Sequence, residues 1–155
     1  MTAPMKAIAA LLTVDHILID LDVANKDQLF QAVGDLLEGR PGLPELQLIE
    51  QLRARERLGS TALGGGVAVP HARIRGLAQA LAVYVRPRVP IPFDAPDGKP
   101  VAHIVVIFVP EQATQAHLQL LASVAELFQD LRFSEKLRAC GDAAAVARLF
   151  TEWPE

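Results

Sequence analysis

Cysteine, aromatic side chains and long apolar runs are scarce in this chain of 155 residues. The single cysteine, Cys140, excludes a disulfide framework and a thiolate metal cluster, so we expect a packing role for it in a reducing compartment. Residues 8–14 are apolar but too few to span a membrane. Lys6 before them and Asp15 after them do not fit a secretory signal. We therefore expect a cytoplasmic protein without membrane insertion.

An excess of basic residues is also missing. Lysine and arginine number 15 against 18 acidic residues, a net charge of −3, so no basic face indicates a nucleic-acid partner. The chain is instead rich in apolar residues, at 51%, and its mean hydropathy of +0.25 argues against disorder. This length predicts a single domain over residues 1–155, with its core at about residues 14–152.

Apolar spacing predicts the order strand, two helices, three strands, three helices. The strands are predicted at residues 14–21, with a short helical lead-in, and at 67–69, 81–85 and 104–109. Helix starts are predicted at Asn25, Pro44, Thr114, Ser134 and Asp142, helix ends at Gly39 and Gly59, and a tight turn at Asp97 and Gly98. This order fits an α/β fold, a three-layer α/β/α sandwich on a mixed sheet.

The most informative segment is residues 63–73, in which three glycines precede Val-Ala-Val-Pro-His-Ala. It predicts that the imidazole of His71 is held at the end of a short strand, and that the glycine loop before this strand has little side-chain bulk. The P-loop and serine-hydrolase motifs are absent, and the histidines lack the spacing of a zinc site. Two interpretations stay open from the residues alone: a buried structural histidine and a phosphoryl-accepting one.

Further side chains near this segment in the sequence, or at a helix start, suit phosphoryl chemistry. His117 falls in the first turns of a predicted helix, where free N–H groups favour anions. Guanidinium groups could bind phosphoryl oxygens, and four arginines flank the segment: Arg55, Arg57, Arg73 and Arg75. His16 and His103 have no such company, and we expect them to be structural.

The segment also resembles a known family. Glu56, six residues, Leu63 and Gly64, two residues, and then residues 67–72 resemble the active-site signature of phosphotransferase-system IIA proteins of the mannitol/fructose type. Residues 92–101 and 117–122 resemble the nitrogen-regulatory branch, and the likeness runs from about residue 14 to the C-terminus. Ala72 stands where glycine is commonest, and His103 where the branch tends to be apolar.

The resemblance implies an α/β/α sandwich and a set of roles. His71 would be phosphorylated on Nε2 by the phosphohistidine of an HPr-like carrier, called NPr in this branch. His117 would stabilise the phosphoryl group, Arg55 would bind it, and Thr61 is a further candidate for the pocket. No metal or cofactor is required. Regulated partners would include potassium transporters or their sensor kinases, and proteins of nitrogen and carbon metabolism.

Three functional hypotheses follow from the resemblance. The first is a regulatory phosphocarrier. The second is a sugar-specific IIA component that passes phosphate to a IIB domain for sugar uptake. The third is an interaction module that has lost phosphotransfer, which the presence of His71, His117 and Arg55 disfavours. The loop at residues 93–101, and the lack of a fused permease or HPr segment, favour the first.

Overall fold

The computed structural model describes residues 4–38, 40, 43 and 45–154. Within these residues the strands are β1 (Ile17–Leu21), β2 (Ala62–Gly64), β3 (Val67–Ala68), β4 (His71–Ile74), β5 (Leu81–Pro87) and β6 (His103–Pro110). The helices are α1 (Pro4–Leu11), α2 (Lys26–Leu37), α3 (Glu45–Leu58), α4 (Gln115–Leu127), α5 (Leu131–Ala139) and α6 (Ala143–Glu152), and a 3₁₀ turn (Val14–His16) leads into β1.

The sheet is mixed, with the strand order β1-β5-β6-β3-β2. β5 is antiparallel to β6, while β3 and β4 follow one another in parallel along the other edge of β6. A short interruption separates β3 from β4, but both strands pair with β6 in the same register. Val67 pairs with His103, and His71, four residues later, pairs with Ile107, also four residues later. The break falls at Pro70, which has no N–H to donate, although its carbonyl accepts from the Ile107 N–H at 2.9 Å.

Helices cover both faces of the sheet. Along β6, Ile104 and Val106 pack into the core with α2 and α3, whereas Val105 and Ile107 pack with α1, α4, α5 and α6. This alternation follows from the two-residue period of a strand. The predicted α/β class and three-layer α/β/α sandwich are confirmed.

Several predicted boundaries are confirmed. Asn25 caps α2 by accepting a hydrogen bond from the Gln28 N–H, and Asp142 caps α6 through the Ala145 N–H. Thr114 immediately precedes α4, and Gly59 follows the end of α3 with a φ of +156°. The boundaries predicted at Gly39 and Pro44 lie outside the described residues.

One predicted cap is wrong. The helix that begins after Thr114 ends at Leu127, and Asp130, not Ser134, caps the next helix by accepting from the Arg132 N–H. Ser134 lies inside α5. The prediction failed because the apolar spacing of the sequence continues across the short break between the two helices and conceals it. The structure also adds α1, β2 and β4 to the predicted order, and β4 begins at His71 itself. No helix in the described ranges is long and apolar enough to cross a bilayer.

Candidate functional site

The backbone fixes the orientation of the His71 ring. His71 is half-buried at the start of β4, and its Nδ1 lies 2.9 Å from the Val69 carbonyl oxygen. A carbonyl only accepts hydrogen bonds, so Nδ1 carries the proton in this contact and Nε2 of the neutral ring keeps its lone pair. The Val69 N–H in turn donates to the Thr61 carbonyl at 3.0 Å. The ring therefore presents Nε2 as its nucleophilic atom.

His71 faces a cavity of about 180 Å³ between the sheet and α4. Arg55 and Thr61 line one side of it, and Leu121 and Ala125 of α4 line another. A cavity of this size can hold a small group such as a phosphoryl group. The structure thus brings Arg55, Thr61 and His71 together, as the resemblance implies.

Arg55 is held at the end of α3. Its Nη1 donates to the Gly59 carbonyl at 2.9 Å, a contact that anchors the guanidinium beside the cavity. The other three arginines do not line it: Arg57 faces a second cavity, and Arg73 and Arg75 are exposed. Of the four candidates, only Arg55 contributes a cation to the wall around His71.

His117 lies on the same face of α4 as the residues that line the cavity. It is four residues before Leu121 and eight before Ala125, so helical geometry places it one turn toward the start of α4, outside the lining itself. Its Nδ1 accepts from the Thr114 N–H at 3.0 Å. In the neutral ring Nε2 therefore carries the proton. The two imidazoles have opposite tautomers, His71 with a free Nε2 and His117 with an Nε2–H donor.

The Thr61 hydroxyl has a partner that the sequence did not indicate. Thr61 is 5% exposed, and its Oγ1 donates to the Glu56 carboxylate at 2.7 Å. Glu56 also forms an ion pair with Lys26 at 3.0 Å, and Lys26 reaches Asp94 at 3.1 Å. Although burial opposes its charge, the hydrogen bonds to Glu56 and Asp94 raise the pKa of Lys26. The sequence identifies Glu56 only as the first residue of the family signature and does not indicate these contacts.

The glycines form a turn that another loop holds in place. Gly64, Gly65 and Gly66 all have positive φ, at 90°, 66° and 82°, a conformation that side chains with a Cβ rarely adopt. Asp97 accepts from the Gly65 N–H at 2.9 Å, and this hydrogen bond lowers the pKa of the Asp97 carboxyl. The predicted turn at Asp97 is closed by a hydrogen bond from the Gly98 N–H to the Ala95 carbonyl.

The histidines expected to be structural are buried away from the cavity. His103 is 2% exposed, its Nδ1 lies 2.7 Å from the Tyr84 hydroxyl, and burial lowers its pKa to about 4. His16 bonds the Ala82 carbonyl through Nδ1 and accepts from Arg40 at Nε2. In the described ranges, no three histidine, cysteine or acidic side chains are placed to hold a metal ion.

Comparison with known proteins decides the family. Residues 10–153 match the model for the phosphoenolpyruvate-dependent sugar phosphotransferase system, EIIA 2. The chain belongs to this family. It is a component of phosphotransfer chemistry, and the predicted resemblance is confirmed.

Several relatives of this EIIA 2 chain are named for nitrogen regulation. Nitrogen regulatory proteins from Pseudomonas aeruginosa and Bradyrhizobium diazoefficiens are 32% and 37% identical to it, and the alignments cover 92% and 90% of this chain and 93% and 91% of theirs. The crystal structure of IIA-Ntr from Neisseria meningitidis is 43% identical, with a TM-score of 0.88 over 94% of this chain and 99% of that one. IIA mannitol from Escherichia coli, at 19% identity, shares the fold, with a TM-score of 0.75 over 90% of this chain and 98% of that one.

Proposed function

We propose that this chain is a regulatory phosphocarrier that accepts a phosphoryl group on Nε2 of His71 from the phosphohistidine of an HPr- or NPr-like carrier. The observation that carries the proposal is the hydrogen bond between His71 Nδ1 and the Val69 carbonyl. It keeps the proton on Nδ1 and directs the lone pair of Nε2 toward an incoming phosphorus.

The transfer balances without a change in total protonation. The bond between the donor nitrogen and phosphorus breaks, and its electron pair stays on the donor imidazole. The lone pair of His71 Nε2 forms the new bond, so the positive charge of the phosphorylated ring moves from donor to acceptor. The Val69 carbonyl, already bonded to Nδ1–H, stabilises that charge on the acceptor ring.

The negative phosphoryl oxygens need donors, and three groups suit this role. Arg55 supplies a guanidinium in the wall of the cavity. His117 supplies Nε2–H, and the start of α4 supplies backbone N–H groups with partial positive charge. Such transfer is mainly a matter of positioning and of stabilising charge, so no metal is needed in this scheme.

Phosphorylation also offers a means of regulation. It adds a phosphoryl group with about −1.5 to −2 charges, which the positive charge of the phosphorylated ring partly offsets. Leu63 in the cavity wall is 47% exposed, so charge and apolar surface lie close together on this face. A partner that binds it would distinguish the two states. The relatives named nitrogen regulatory protein support this role over sugar uptake, with potassium transport or sensor-kinase components in the cytoplasm as the proposed targets.

Labelling with phosphoenolpyruvate tests the proposal. The protein is incubated with enzyme I, HPr or NPr, and labelled phosphoenolpyruvate. We expect acid-labile, base-stable label on the wild type and none on His71→Ala. His103→Leu is the matched control and should still be labelled. Label on His71→Ala would contradict the assignment, and efficient onward transfer to the cysteine of a IIB domain would favour sugar uptake.

A further inference from the structure

Glu56 is a buried carboxylate whose two oxygens are both engaged. Its side chain is 6% exposed. Oε2 lies 3.0 Å from Lys26 Nζ and accepts from the Thr61 N–H at 3.0 Å, while Oε1 accepts from the Thr61 hydroxyl at 2.7 Å. A carboxylate removed from water is costly unless it is paired and hydrogen-bonded in this way. Such an arrangement fixes Thr61, the residue immediately before β2.

The contacts continue from Thr61 to the reactive ring. The Thr61 carbonyl accepts from the Val69 N–H at 3.0 Å, and the Val69 carbonyl accepts from His71 Nδ1 at 2.9 Å. Thus Glu56 holds Thr61, Thr61 holds Val69, and Val69 sets the tautomer of His71. Each link is a hydrogen bond of ordinary length between groups whose positions are otherwise set by short strands.

The opposite side of Glu56 does not indicate a ligand of its own. Glu56 borders a second cavity of about 420 Å³, which Lys26, Arg53 and Asp94 also line. Most of the charges there pair with each other: Lys26 binds both Glu56 and Asp94, and Arg53 binds Asp27 at 3.2 Å. Arg57 also lines this cavity and forms no ion pair among the described residues, but both oxygens of Glu56 are already engaged. The buried carboxylate is therefore better explained by what it holds than by what it binds.

We propose that Glu56 is a positioning residue for His71, acting through Thr61 and Val69. The inference rests on the proposed function, because it gives Glu56 a part in phosphoryl transfer. When the carboxylate is removed, Thr61 loses both hydrogen bonds that hold it to α3, so the Thr61 carbonyl holds the Val69 N–H less firmly and the Val69 carbonyl is less well placed. The Nδ1–H tautomer is then less favoured, and Nε2 is less often free to attack.

Two measurements on Glu56→Ala test this. The first is the ¹⁵N chemical shifts of the His71 ring at a pH where it is neutral, which report the tautomer without any donor. The second is the rate of phosphoryl transfer from a phosphorylated HPr-like carrier at saturating concentration. We expect the two ring-nitrogen shifts to move toward each other, and the rate to fall by about tenfold, a modest loss for a displaced reacting group.

Two further variants separate positioning from general damage. Glu56→Gln keeps an acceptor for the Thr61 N–H and for Lys26, so it should restore the wild-type tautomer and most of the rate. Asp94 is the other carboxylate that pairs with Lys26, and its side chain is 88% exposed. Asp94→Ala should therefore leave both readouts unchanged. If Asp94→Ala matches Glu56→Ala, the charge on Lys26 matters and the link through Thr61 is wrong.

The remaining outcomes are equally decisive. A folded Glu56→Ala with wild-type ring shifts and rate overturns the inference. If that variant does not fold, Thr61→Val takes its place, because it deletes only the hydroxyl donor, and unchanged ring shifts and rate there overturn it too. Should the wild type accept no phosphate at all, the proposed function fails while the ring shifts still test the positioning.

Discussion

Two imidazoles lie beneath the same helix on the same face of the sheet, and their surroundings differ in almost every respect. His71 shares its cavity with Leu121 and Ala125 of α4, whereas the His103 ring lies 5.9 Å from the ring of Phe128, just past the end of that helix. The β6 partner of His71 is four residues from His103, which is roughly 13 Å along a strand. His71 is half-buried, and His103 is 2% exposed.

The difference between them shows what makes a histidine available for chemistry. His71 bonds a backbone carbonyl, so one nitrogen is fixed and the other is free beside a cavity. His103 bonds the Tyr84 hydroxyl, and its Nε2 is buried without a partner in the described residues. Burial, together with the nearby Arg138 and Arg86, lowers the pKa of His103 to about 4. The two histidines therefore differ in whether a ring nitrogen is accessible from a cavity and in whether a backbone carbonyl fixes the tautomer.

The largest effect is expected from Arg55, the guanidinium in the wall of the cavity beside His71. Arg55→Ala should slow phosphoryl transfer by about 10² to 10³-fold, the usual cost of removing a donor to developing negative charge. Arg55→Lys keeps the charge but loses the planar fork and should fall between. Rapid-quench measurement of labelling checks both. Arg57→Ala, two residues away and facing the other cavity, is the control; an equal loss there would mean that general charge, not the cavity wall, matters.

A pH effect of similar size is expected from the His103 region. Its folded-state pKa lies below the unfolded value of 6.5, so only the unfolded chain takes up a proton as the pH falls from about 6.5 to 4. Stability should therefore decline over this range by about 3 kcal/mol from this residue, and not at higher pH. Urea unfolding at several pH values measures the decline.

The double variant His103→Leu with Tyr84→Phe removes both partners together and leaves no orphaned polar group. It should lack this part of the pH dependence and be at least as stable as the wild type at pH 7.5. An unchanged pH profile in the double variant would show that His103 titrates normally and that the contrast between the two histidines is smaller than the structure indicates.

The sequence predicts the fold class and two side chains of the candidate site. It does not predict the short strands and the hydrogen bonds that hold those side chains in place. Period-two and helical apolar spacing predicted the sandwich, and the motif led to His71 and Arg55, which do share a cavity. Short strands such as β2 and β4 have too few residues to show a period, so they were missed. The cap is predicted at Ser134, not at Asp130 where the structure has it, because the apolar periodicity continues across the break between α4 and α5.

The supporting contacts could not be predicted for a different reason. Glu56 and Thr61 are five residues apart, but Thr61 meets Val69 only because β2 and β3 form a hairpin, and Lys26 arrives from another helix. Such meetings depend on tertiary packing that one sequence does not display. The roles of His71, His117, Arg55 and Thr61 accordingly stay predictions for the experiments described.

A smaller effect is expected at His117, whose tautomer complements that of His71. His117→Ala should still accept phosphate on His71 but more slowly, by about tenfold, since one charge-assisted hydrogen bond to the phosphoryl group is lost. Time courses of labelling and of onward transfer measure this. Gln115→Ala in the same first turn is the control. If neither rate responds to His117→Ala, the residue has no part in the mechanism.

The smallest effect is expected at the glycine turn, which connects the two regions. The Gly66 carbonyl accepts from the His103 N–H at 3.0 Å, while Asp97 holds the Gly65 N–H. Asp97→Ala should raise amide hydrogen exchange at Gly65 by about tenfold, because a local opening loses its closing contact. Asp97→Asn keeps an acceptor and should exchange more slowly than Asp97→Ala. Transfer to His71 should change by less than about twofold, since the ring is held by Val69 and not by the turn. If Asp97→Ala slowed phosphoryl transfer as much as Arg55→Ala, the glycine turn would belong to the reactive site, and the regions around His71 and His103 would not be distinct.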